Sequence, residues 1–296
     1  MAAAAPGRLR IGFLGVSHSH ARAKLDIVRQ SDRWELVGTS PPLAPERLLA
    51  DPTVQVIAVE SEVRDHAEHA RLALEAGKHV HLEKPPADTL DGLRRLLGLA
   101  AQKQRLLQIG YMWRHNPGIN AALDAARQGR LGDVFLIRGT INTWIGPEDR
   151  AELARFRGGQ MFELGCHLIE PVVRLWGRPS RVTSVLRHHG PFDDALADNT
   201  VAILEYPKAM AIISSASMQP GAGAHRSFEV LGTKGPAVVR PLEPPELTIA
   251  QKRAPLPAYR RYVEEFAALA DAVSGVRPLG IPPELDYQVQ ETLLRA

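Results

Sequence analysis

The 296-residue sequence has little cysteine and no long apolar run. Cys166 is the only cysteine, so a disulfide within the chain is excluded and a reducing compartment is expected. No apolar run reaches the roughly 18 residues of a membrane-spanning helix, and the start of the chain lacks the basic and long apolar regions of a secretory signal. We therefore expect a cytoplasmic protein without a membrane partner.

Clustered charge of one sign is missing as well. The 36 Lys and Arg residues nearly balance the 33 Asp and Glu residues, which leaves a net charge of +3. Nucleic-acid binding needs a basic stripe along one surface, and no such stripe is present. The sequence thus excludes the nucleic-acid-binding class and indicates an ordinary globular chain, long enough for two domains.

The first part of the chain alternates short apolar segments with helical ones. The predicted strands are Leu9–Leu14, Glu35–Thr39, Val54–Val59, His79–Leu82 and Arg105–Tyr111. Predicted helices lie between them, but the second crossover has room for only a turn or two, around Glu46–Ala50. This alternation predicts an α/β domain with a doubly wound parallel sheet of the Rossmann type, over residues 1–118.

The pattern changes near residue 118, where Asn116 and Pro117 begin a helix as cap and first helical residue. Strands then dominate, interrupted by a helix over Gln160–Trp176 and followed by a helix over Ala258–Val273 that closes the chain. Residues 119–296 are therefore predicted to form an α+β domain with a large open, mostly antiparallel sheet. We expect this domain to bind substrate and to support oligomers.

A tight turn after the first strand indicates a nucleotide site, because it brings backbone N–H groups to a pyrophosphate. The usual pattern is G-x-G-x-x-G; here Gly15 keeps the first glycine, Ser17 replaces the second and His20 the third. We expect Gly15, Ser17 and His18 to bind the cofactor. An ordinary strand-to-helix turn is the alternative interpretation.

The position for the cofactor ribose carries no acid. An Asp or Glu about twenty residues after the turn usually bonds the 2′-hydroxyl, whereas Thr39 and Ser40 stand here. Ser40 is a candidate cofactor-binding residue. Its lack of charge removes a repulsion against a 2′-phosphate, and the sequence leaves the choice between NAD and NADP open.

Four passages resemble the glucose–fructose oxidoreductase/inositol dehydrogenase/MocA (Gfo/Idh/MocA) family. Ala76–Pro85 is similar to the family's AGKHV..EKP stretch, and Gly110–Pro117 to its GY..R.NP passage. Gly158–Glu170 resembles GGG.l.D.G.H.iD, and Gly232–Gly235 resembles a late G..G turn. The order and spacing of the passages also agree with the family over about 160 residues.

This resemblance implies a cofactor, NAD or NADP, and a small polyol or sugar-like substrate. Family members transfer a hydride between nicotinamide and an alcohol carbon of a sugar, sugar acid or cyclitol, and the alcohol must also lose its hydroxyl proton. By resemblance, Lys84 bonds the reacting hydroxyl and helps to hold the nicotinamide end. His167 is the candidate base, and Glu163 orients either His167 or the substrate. Glu83 and Lys84 also belong to the cofactor side.

The chain departs from the family pattern after the third strand. Ser61 and Glu62 stand where the family has TPN, and Glu62 places a negative charge on the cofactor side. Both residues are candidate cofactor contacts. Glu163 replaces an Asp and is one methylene longer. Pro171 predicts a kink in the helix that carries His167.

Candidate substrate contacts are Tyr111, Trp113, Arg114 and Glu170. Each site residue also has an ordinary structural interpretation. Tyr111 and Trp113 suit packing at a strand end, Glu163 and Glu170 suit ion pairs with His167 and Arg174, His167 suits a core position, and Lys84 suits a solvated strand end.

Histidines occur in close pairs, as at His18 and His20, but no four-ligand spacing emerges, so no metal is expected.

A non-catalytic sensor or scaffold is the alternative function, favoured by the altered glycine turn and Glu62. A homo-oligomer through the open sheet is expected, as in the family.

Overall fold

The computed structural model describes residues 7–296 and divides the chain into two compact units. The first comprises residues up to Gly110 together with Arg261–Tyr287, and the second comprises Tyr111–Arg260 with Gln288–Ala296. Local periodicity places the domain boundary near residue 118 but cannot show that a late segment returns to the first unit, because that return is a tertiary event. Among the described residues, no helix is both long and apolar enough to cross a bilayer.

The first unit contains a parallel five-stranded sheet with the order β2-β1-β3-β4-β5. In chain order its elements are β1 Leu9–Leu14, α1 Ala21–Gln30, β2 Trp34–Ser40, α2 Pro45–Ala50, β3 Val56–Val59, α3 His66–Glu75, β4 His79–Leu82, α4 Leu90–Lys103 and β5 Leu107–Ile109. This topology confirms the predicted doubly wound sheet. The six-residue α2 confirms the short second crossover.

Local sequence explains these elements. All four residues of β3 are buried, as a central parallel strand covered on both faces requires. The N-terminus of α4 is capped by Thr89, whose hydroxyl accepts a hydrogen bond from the backbone of Gly92 at 3.1 Å. Because all five strands are parallel, their carboxyl ends lie along one edge of the sheet.

The second unit contains an eight-stranded sheet with the order β13-β12-β11-β10-β6-β9-β8-β7. Its elements are α5 Pro117–Arg127, β6 Val134–Thr140, α6 Pro147–Leu153, α7 Cys166–Trp176, β7 Arg181–Arg187, β8 Asn199–Tyr206, β9 Ala209–Ala216, β10 Ser227–Gly232, β11 Gly235–Leu242, β12 Pro245–Ile249 and β13 Lys252–Ala254. Only the β6–β9 pair is parallel among the paired strands of residues 7–296 in this sheet. The predicted open, mostly antiparallel sheet is confirmed.

The end of the chain differs from the prediction. The predicted helix over Ala258–Val273 forms only from Val263, as α8 Val263–Val273, and α9 Pro283–Arg295 closes the chain. The β12–β13 hairpin was also not predicted. Its turn uses Ala250 and Gln251 with φ of 47° and 67°, so the glycine or asparagine that usually marks such a turn is missing from the sequence.

Candidate active site

Three predicted cofactor residues meet at the carboxyl edge of the first sheet. The backbone N–H of Gly15 donates to the carbonyl of Ser40 at 2.8 Å. Gly15 has φ of +74°, and a Cβ atom on it would lie 2.4 Å from Cα of Ser61. Both the left-handed conformation and this close approach require glycine. The end of β1 thus bonds to the last residue of β2 and lies against the segment that follows β3.

The loop after Gly15 leads to the N-terminus of α1. Ser17 is exposed and His18 is partly exposed, while the backbone N–H of His18 donates to the carbonyl of Glu60 at 3.2 Å. A tight glycine turn, an accessible loop and a helix N-terminus suit a diphosphate group. His20, which precedes α1, turns its imidazole Nδ1 toward Oε2 of Glu83, at 3.3 Å. The residues present therefore fit a dinucleotide, with histidine in place of the last glycine.

Lys84 follows β4 and is completely buried. Its backbone N–H donates to Oε1 of Glu83 at 2.9 Å, and the backbone of Glu83 donates to the carbonyl of Val59 at 3.1 Å. The alternative interpretation of Lys84, as a solvated residue at a strand end, is therefore wrong. Burial and, in addition, the charge of Lys84 lower the pKa of His20 in the loop after Gly15, so the Lys84 side chain lies near that loop.

His66 joins the segments that follow β3 and β4. Its Nε2 lies 3.0 Å from the carbonyl of Ser61, and its Nδ1 lies 2.8 Å from the carbonyl of Pro85. Burial lowers the pKa of His66, although these carbonyls raise it. Because a neutral imidazole carries one N–H, it donates to one carbonyl at a time. Glu62 is partly exposed and precedes a short 3-10 turn, Val63–Asp65.

Behind this edge lies a buried network around Lys24, which the sequence interpretation missed. The Lys24 ammonium donates to Oε1 of Glu60 at 2.7 Å and to Oε2 of Glu83, and it lies 2.9 Å from Nε2 of His81. An ammonium has no acceptor, so Nε2 of His81 accepts and its Nδ1 donates to Gln108, at 2.9 Å. The side chains of Lys24, Glu60, His81 and Glu83 are all 0% exposed.

Electrostatics explains how these charges persist without water. Burial lowers the pKa of Lys24, but Glu60 and Glu83 outweigh it and raise the pKa above its ordinary value. Burial alone raises the pKa of Glu83, but Lys24 holds that pKa well below the ordinary range. Burial lowers the pKa of His20 to about 4, against the opposing effect of Glu83. At neutral pH Lys24 is therefore an ammonium, Glu60 and Glu83 are carboxylates, and the neighbouring His20 imidazole is neutral.

One sequence signal pointed to this network. Lys24 shares the buried face of α1 with Ala21, Leu25 and Val28, a spacing at which an amphipathic helix places apolar residues. A lysine at such a position needs a buried partner. The partners come from β3 and β4, so local sequence could not name them.

The second unit groups the candidate substrate residues around one buried carboxylate. Nε of Arg114 donates to Oε1 of Glu170 at 2.9 Å, and Nε of Arg174 lies 3.3 Å from the same oxygen. The Arg114 guanidinium lies 5.0 Å from the Tyr111 ring centre. The ion pair between Glu170 and Arg174, considered from the sequence, is therefore present, and Arg114 forms a second ion pair with the same carboxylate. Glu170 is 1% exposed.

His167 lies near an aromatic side chain in the same unit. Its ring is buried, with a centre 5.5 Å from the ring centre of Trp113, whose Nε1 donates to Glu243 at 2.8 Å. Glu163 lies in a π-helical turn, Met161–Gly165, immediately before α7, and is partly exposed. Such turns are frequent at functional sites. Helix α7 continues through Pro171, and the kink expected there stays a prediction. The π-helical turn lies directly before α7.

Comparisons with known proteins agree with both units. Residues 13–111 match a family model described as "Oxidoreductase family, NAD-binding Rossmann fold", and residues 119–238 match the "GFO/IDH/MocA C-terminal domain". The matches confirm, at the level of the family, the predicted resemblance and the predicted class of cofactor.

Individual relatives have low sequence identity to this chain. An uncharacterized oxidoreductase of Schizosaccharomyces pombe is 30% identical over 64% of this chain and 54% of its own length. The scyllo-inositol 2-dehydrogenase (NADP(+)) of Bacillus subtilis is 27% identical over 60% of this chain and 50% of its own. The chain thus matches about half the length of these relatives. The structure of GenD2 from gentamicin A biosynthesis, in complex with NAD, has the same fold, with a TM-score of 0.82, 21% identity and coverage of 98% and 93%.

Proposed function

Because the chain belongs to the Gfo/Idh/MocA family of oxidoreductases, we propose that it is an NAD(P)-dependent enzyme. The proposed reaction transfers a hydride between nicotinamide and a hydroxyl-bearing carbon of a sugar, sugar acid or cyclitol. The bound nicotinamide would accept or supply the hydride, and the protein would handle the proton of the alcohol.

The observation that carries this proposal is the burial of Lys84 at the carboxyl edge of the first sheet. Lysine is rarely buried completely unless its charge has a function or a partner. Here it follows β4 at the edge where Gly15, Ser40 and Ser61 meet. In open α/β sheets, ligands bind at the carboxyl ends of strands.

Each proposed catalytic residue has a distinct task. The ammonium of Lys84 donates a hydrogen bond to the reacting hydroxyl and stabilises the alkoxide that forms when the proton leaves. His167 accepts that proton, and Glu163 orients the imidazole or the substrate. A positioned base of this kind contributes about 10²–10⁴-fold to the rate.

The residues around Glu170 support a polar, hydroxyl-rich substrate. Arg114, Glu170 and Tyr111 supply donors and acceptors beside an aromatic face, an arrangement that suits sugars and cyclitols. The Bacillus relative is named for a cyclitol, scyllo-inositol, and for NADP. We propose the same substrate class for this chain, with NAD and NADP both candidate cofactors.

A second candidate function is a non-catalytic sensor or scaffold. The observation that favours it is His20, which occupies the place of the third glycine and faces Glu83 at 3.3 Å. Glu62 adds a negative charge after β3, where a phosphate would be repelled. A protein of this kind would bind ligand without turnover, or bind no dinucleotide.

Titration with NADH and NADPH separates these functions. Nicotinamide fluorescence and thermal shift should show saturable binding of at least one of them. Oxidation of scyllo-inositol, myo-inositol and D-glucose with NAD⁺ or NADP⁺ should then reveal turnover with one probe. No binding of either dinucleotide at about 1 mM, a concentration at which even weak sites bind, would contradict the enzyme and favour the scaffold.

Variants of two lysines test the role of Lys84. Lys84→Ala should lower kcat by at least about 100-fold, while dinucleotide affinity changes less. Lys103→Ala is the matched control, because Lys103 is an exposed lysine at the end of α4, and it should retain wild-type turnover. Undiminished kcat in Lys84→Ala would refute the catalytic role.

We also propose that the open face of the second sheet binds another copy of the chain. The outward positions of neighbouring strands carry apolar side chains, among them Val201, Ile203, Met210 and Ile212, of which Met210 is 46% exposed. An apolar sheet face of this kind marks an interaction surface. Light scattering should show a dimer or larger assembly, and Ile212→Glu should lower the mass. A monomeric wild type would contradict this assignment.

A further inference from the structure

Two histidines and one carboxylate converge beside the glycine turn. His18, His20 and Glu83 each offer one ligand atom, and these atoms lie within 4.8 Å of one another. Within residues 7–296, this is the set of His, Cys, Asp and Glu side chains with the geometry of a metal site. We infer that His18, His20 and Glu83 bind a divalent transition-metal ion of the zinc class.

The distances suit an ion of that size. Nitrogen and carboxylate ligands lie about 2.0–2.2 Å from Zn²⁺, so two ligands of a tetrahedral ion are about 3.4 Å apart. Nδ1 of His20 and Oε2 of Glu83 are separated by 3.3 Å. The rings of His18 and His20 meet edge to face, with centres 4.6 Å apart. The ligand atoms lie within 4.8 Å of one another, so His18, in the partly exposed loop, would have to move by at most about 1.4 Å to reach the tetrahedral spacing.

The ligand chemistry also agrees. Two imidazoles and one carboxylate form a three-ligand set that holds Zn²⁺ or Fe²⁺ and leaves other positions open. Each histidine would bind the ion through one ring nitrogen, and Glu83 through one carboxylate oxygen.

Glu83 is held in place by groups behind it. Lys84 donates its backbone N–H to Oε1 at 2.9 Å, and the Lys24 ammonium donates to Oε2. Outer hydrogen bonds of this type orient carboxylates in metal sites. The charge balance is nearly even, because Lys24 and Lys84 oppose a cation while Glu60 and Glu83 attract it. Affinity would therefore come from the ligand bonds rather than from net charge.

The ion has an entry path and a place for a further ligand. His18 and His20 are partly exposed, and Ser17 and Ser19 in the same loop are exposed. Open positions on the ion would take water or an oxygen of a phosphate bound at the turn. The competing interpretation is a simple hydrogen bond between His20 and Glu83, and the two make different predictions for added metal.

Cobalt titration of the tag-free protein, after dialysis against a chelator, tests the site without substrate or nicotinamide cofactor. Wild type should bind one equivalent of Co²⁺ with visible d–d absorption bands, and Zn²⁺ should displace it. His18→Ala and His20→Ala should each weaken Co²⁺ binding at least about tenfold, as loss of a ligand requires. His225→Ala removes an exposed imidazole elsewhere and should bind as wild type does.

Two results would overturn the inference. One is the absence of stoichiometric Co²⁺ and Zn²⁺ binding by the wild type at about 0.1 mM, the concentration of a very weak site. The other is unchanged affinity in folded His18→Ala and His20→Ala, verified by circular dichroism. Because His18 lies in a partly exposed loop, its variant tests the site even if His20→Ala fails to fold. Failure of nicotinamide binding would leave this result unaffected.

Discussion

Lys24 and Glu83 form an ion pair in which both side chains are 0% exposed. The pair joins a helix to the end of a strand far along the chain, and Glu60 shares the same ammonium at 2.7 Å. Removing one partner of a buried ion pair leaves an uncompensated charge, which costs far more than the pair contributes. The stability of the first unit therefore depends on Lys24.

We expect Lys24→Met to lower the free energy of unfolding by about 3–5 kcal/mol, because Glu60 and Glu83 then face each other without a cation. Urea denaturation followed by circular dichroism measures the change. Lys103→Met, at an exposed position, should change stability by less than about 0.5 kcal/mol. A loss below about 1 kcal/mol in Lys24→Met would show that the ammonium is not the compensating charge.

The conformation of Gly15 leads to a second prediction. Gly15→Ala introduces a Cβ atom 2.4 Å from Cα of Ser61, at φ of +74°. Gly129 has a similar φ of +68° with nothing within 4 Å of a Cβ atom. Gly129→Ala should therefore cost only the conformational strain, about 1–2 kcal/mol, and Gly15→Ala about 1–3 kcal/mol more from overpacking.

Thermal or urea unfolding of both alanine variants measures this difference. Gly15→Ala should also weaken dinucleotide binding, since the turn and Ser61 must separate, whereas Gly129→Ala should not. Equal destabilisation in the two variants would mean that Gly15 and Ser61 do not approach closely.

The predicted and observed strands agree best where the residues of the strand and its immediate neighbours determine its bounds. The residues of β1 and β4 were predicted without error, because Gly15 marks the end of β1 and β4 lies between Gly77 and the Glu83-Lys84-Pro85 segment. The β12–β13 hairpin was missed because its left-handed turn residues are Ala250 and Gln251 rather than glycine. Local rules fail there because tertiary contacts outweigh backbone preference.

The candidate site also contains residues that nearby sequence could identify and residues whose partners are distant in sequence. Gly15 and Lys84 were predicted from motifs that lie within a few residues. The partners of Lys24 were not, because they come from two other strands, and a lysine in an amphipathic helix normally faces solvent. Glu83 was named as a cofactor-side residue, but its position beside His18 and His20 was not predicted, because it comes from another strand end.

The pKa of His20 predicts an acid-dependent loss of stability. Burial lowers this pKa to about 4 from the ordinary value of 6.5. Above pH 6.5 the imidazole is neutral in both states, so its effect on stability is constant. As the pH falls from 6.5 toward 4, only the unfolded chain takes up the proton, and stability is lost by up to about 3 kcal/mol.

His20→Gln should remove this contribution. In the presence of a chelator, the wild type should lose about 2–3 kcal/mol more than the variant between pH 7 and pH 4.5. Between pH 7 and pH 8 the two proteins should change in parallel, which serves as the internal control. Parallel curves across the acid range as well would contradict the lowered pKa of His20.

The helix caps Asn116 and Thr89 differ in burial and in the number of hydrogen bonds that they make. Their removal should therefore destabilise the protein by different amounts. Oδ1 of Asn116 accepts from the backbone of Gly118 at 2.9 Å and of Ile119 at 3.1 Å, and its Nδ2 donates to the carbonyl of Leu242 at 2.9 Å. Thr89 makes one such cap bond, at the exposed start of α4. Thr89→Ala should cost about 1 kcal/mol.

Asn116→Ala should cost at least about 2–3 kcal/mol, since it also leaves buried N–H and carbonyl groups without their partners. Asn116→Asp keeps the acceptor for both cap bonds and loses the donor to Leu242, so its cost separates the two contributions. Urea unfolding of the three variants measures the order. If Asn116→Ala were no more destabilising than Thr89→Ala, water would have to reach the start of α5 and replace those bonds, which the complete burial of Asn116 opposes.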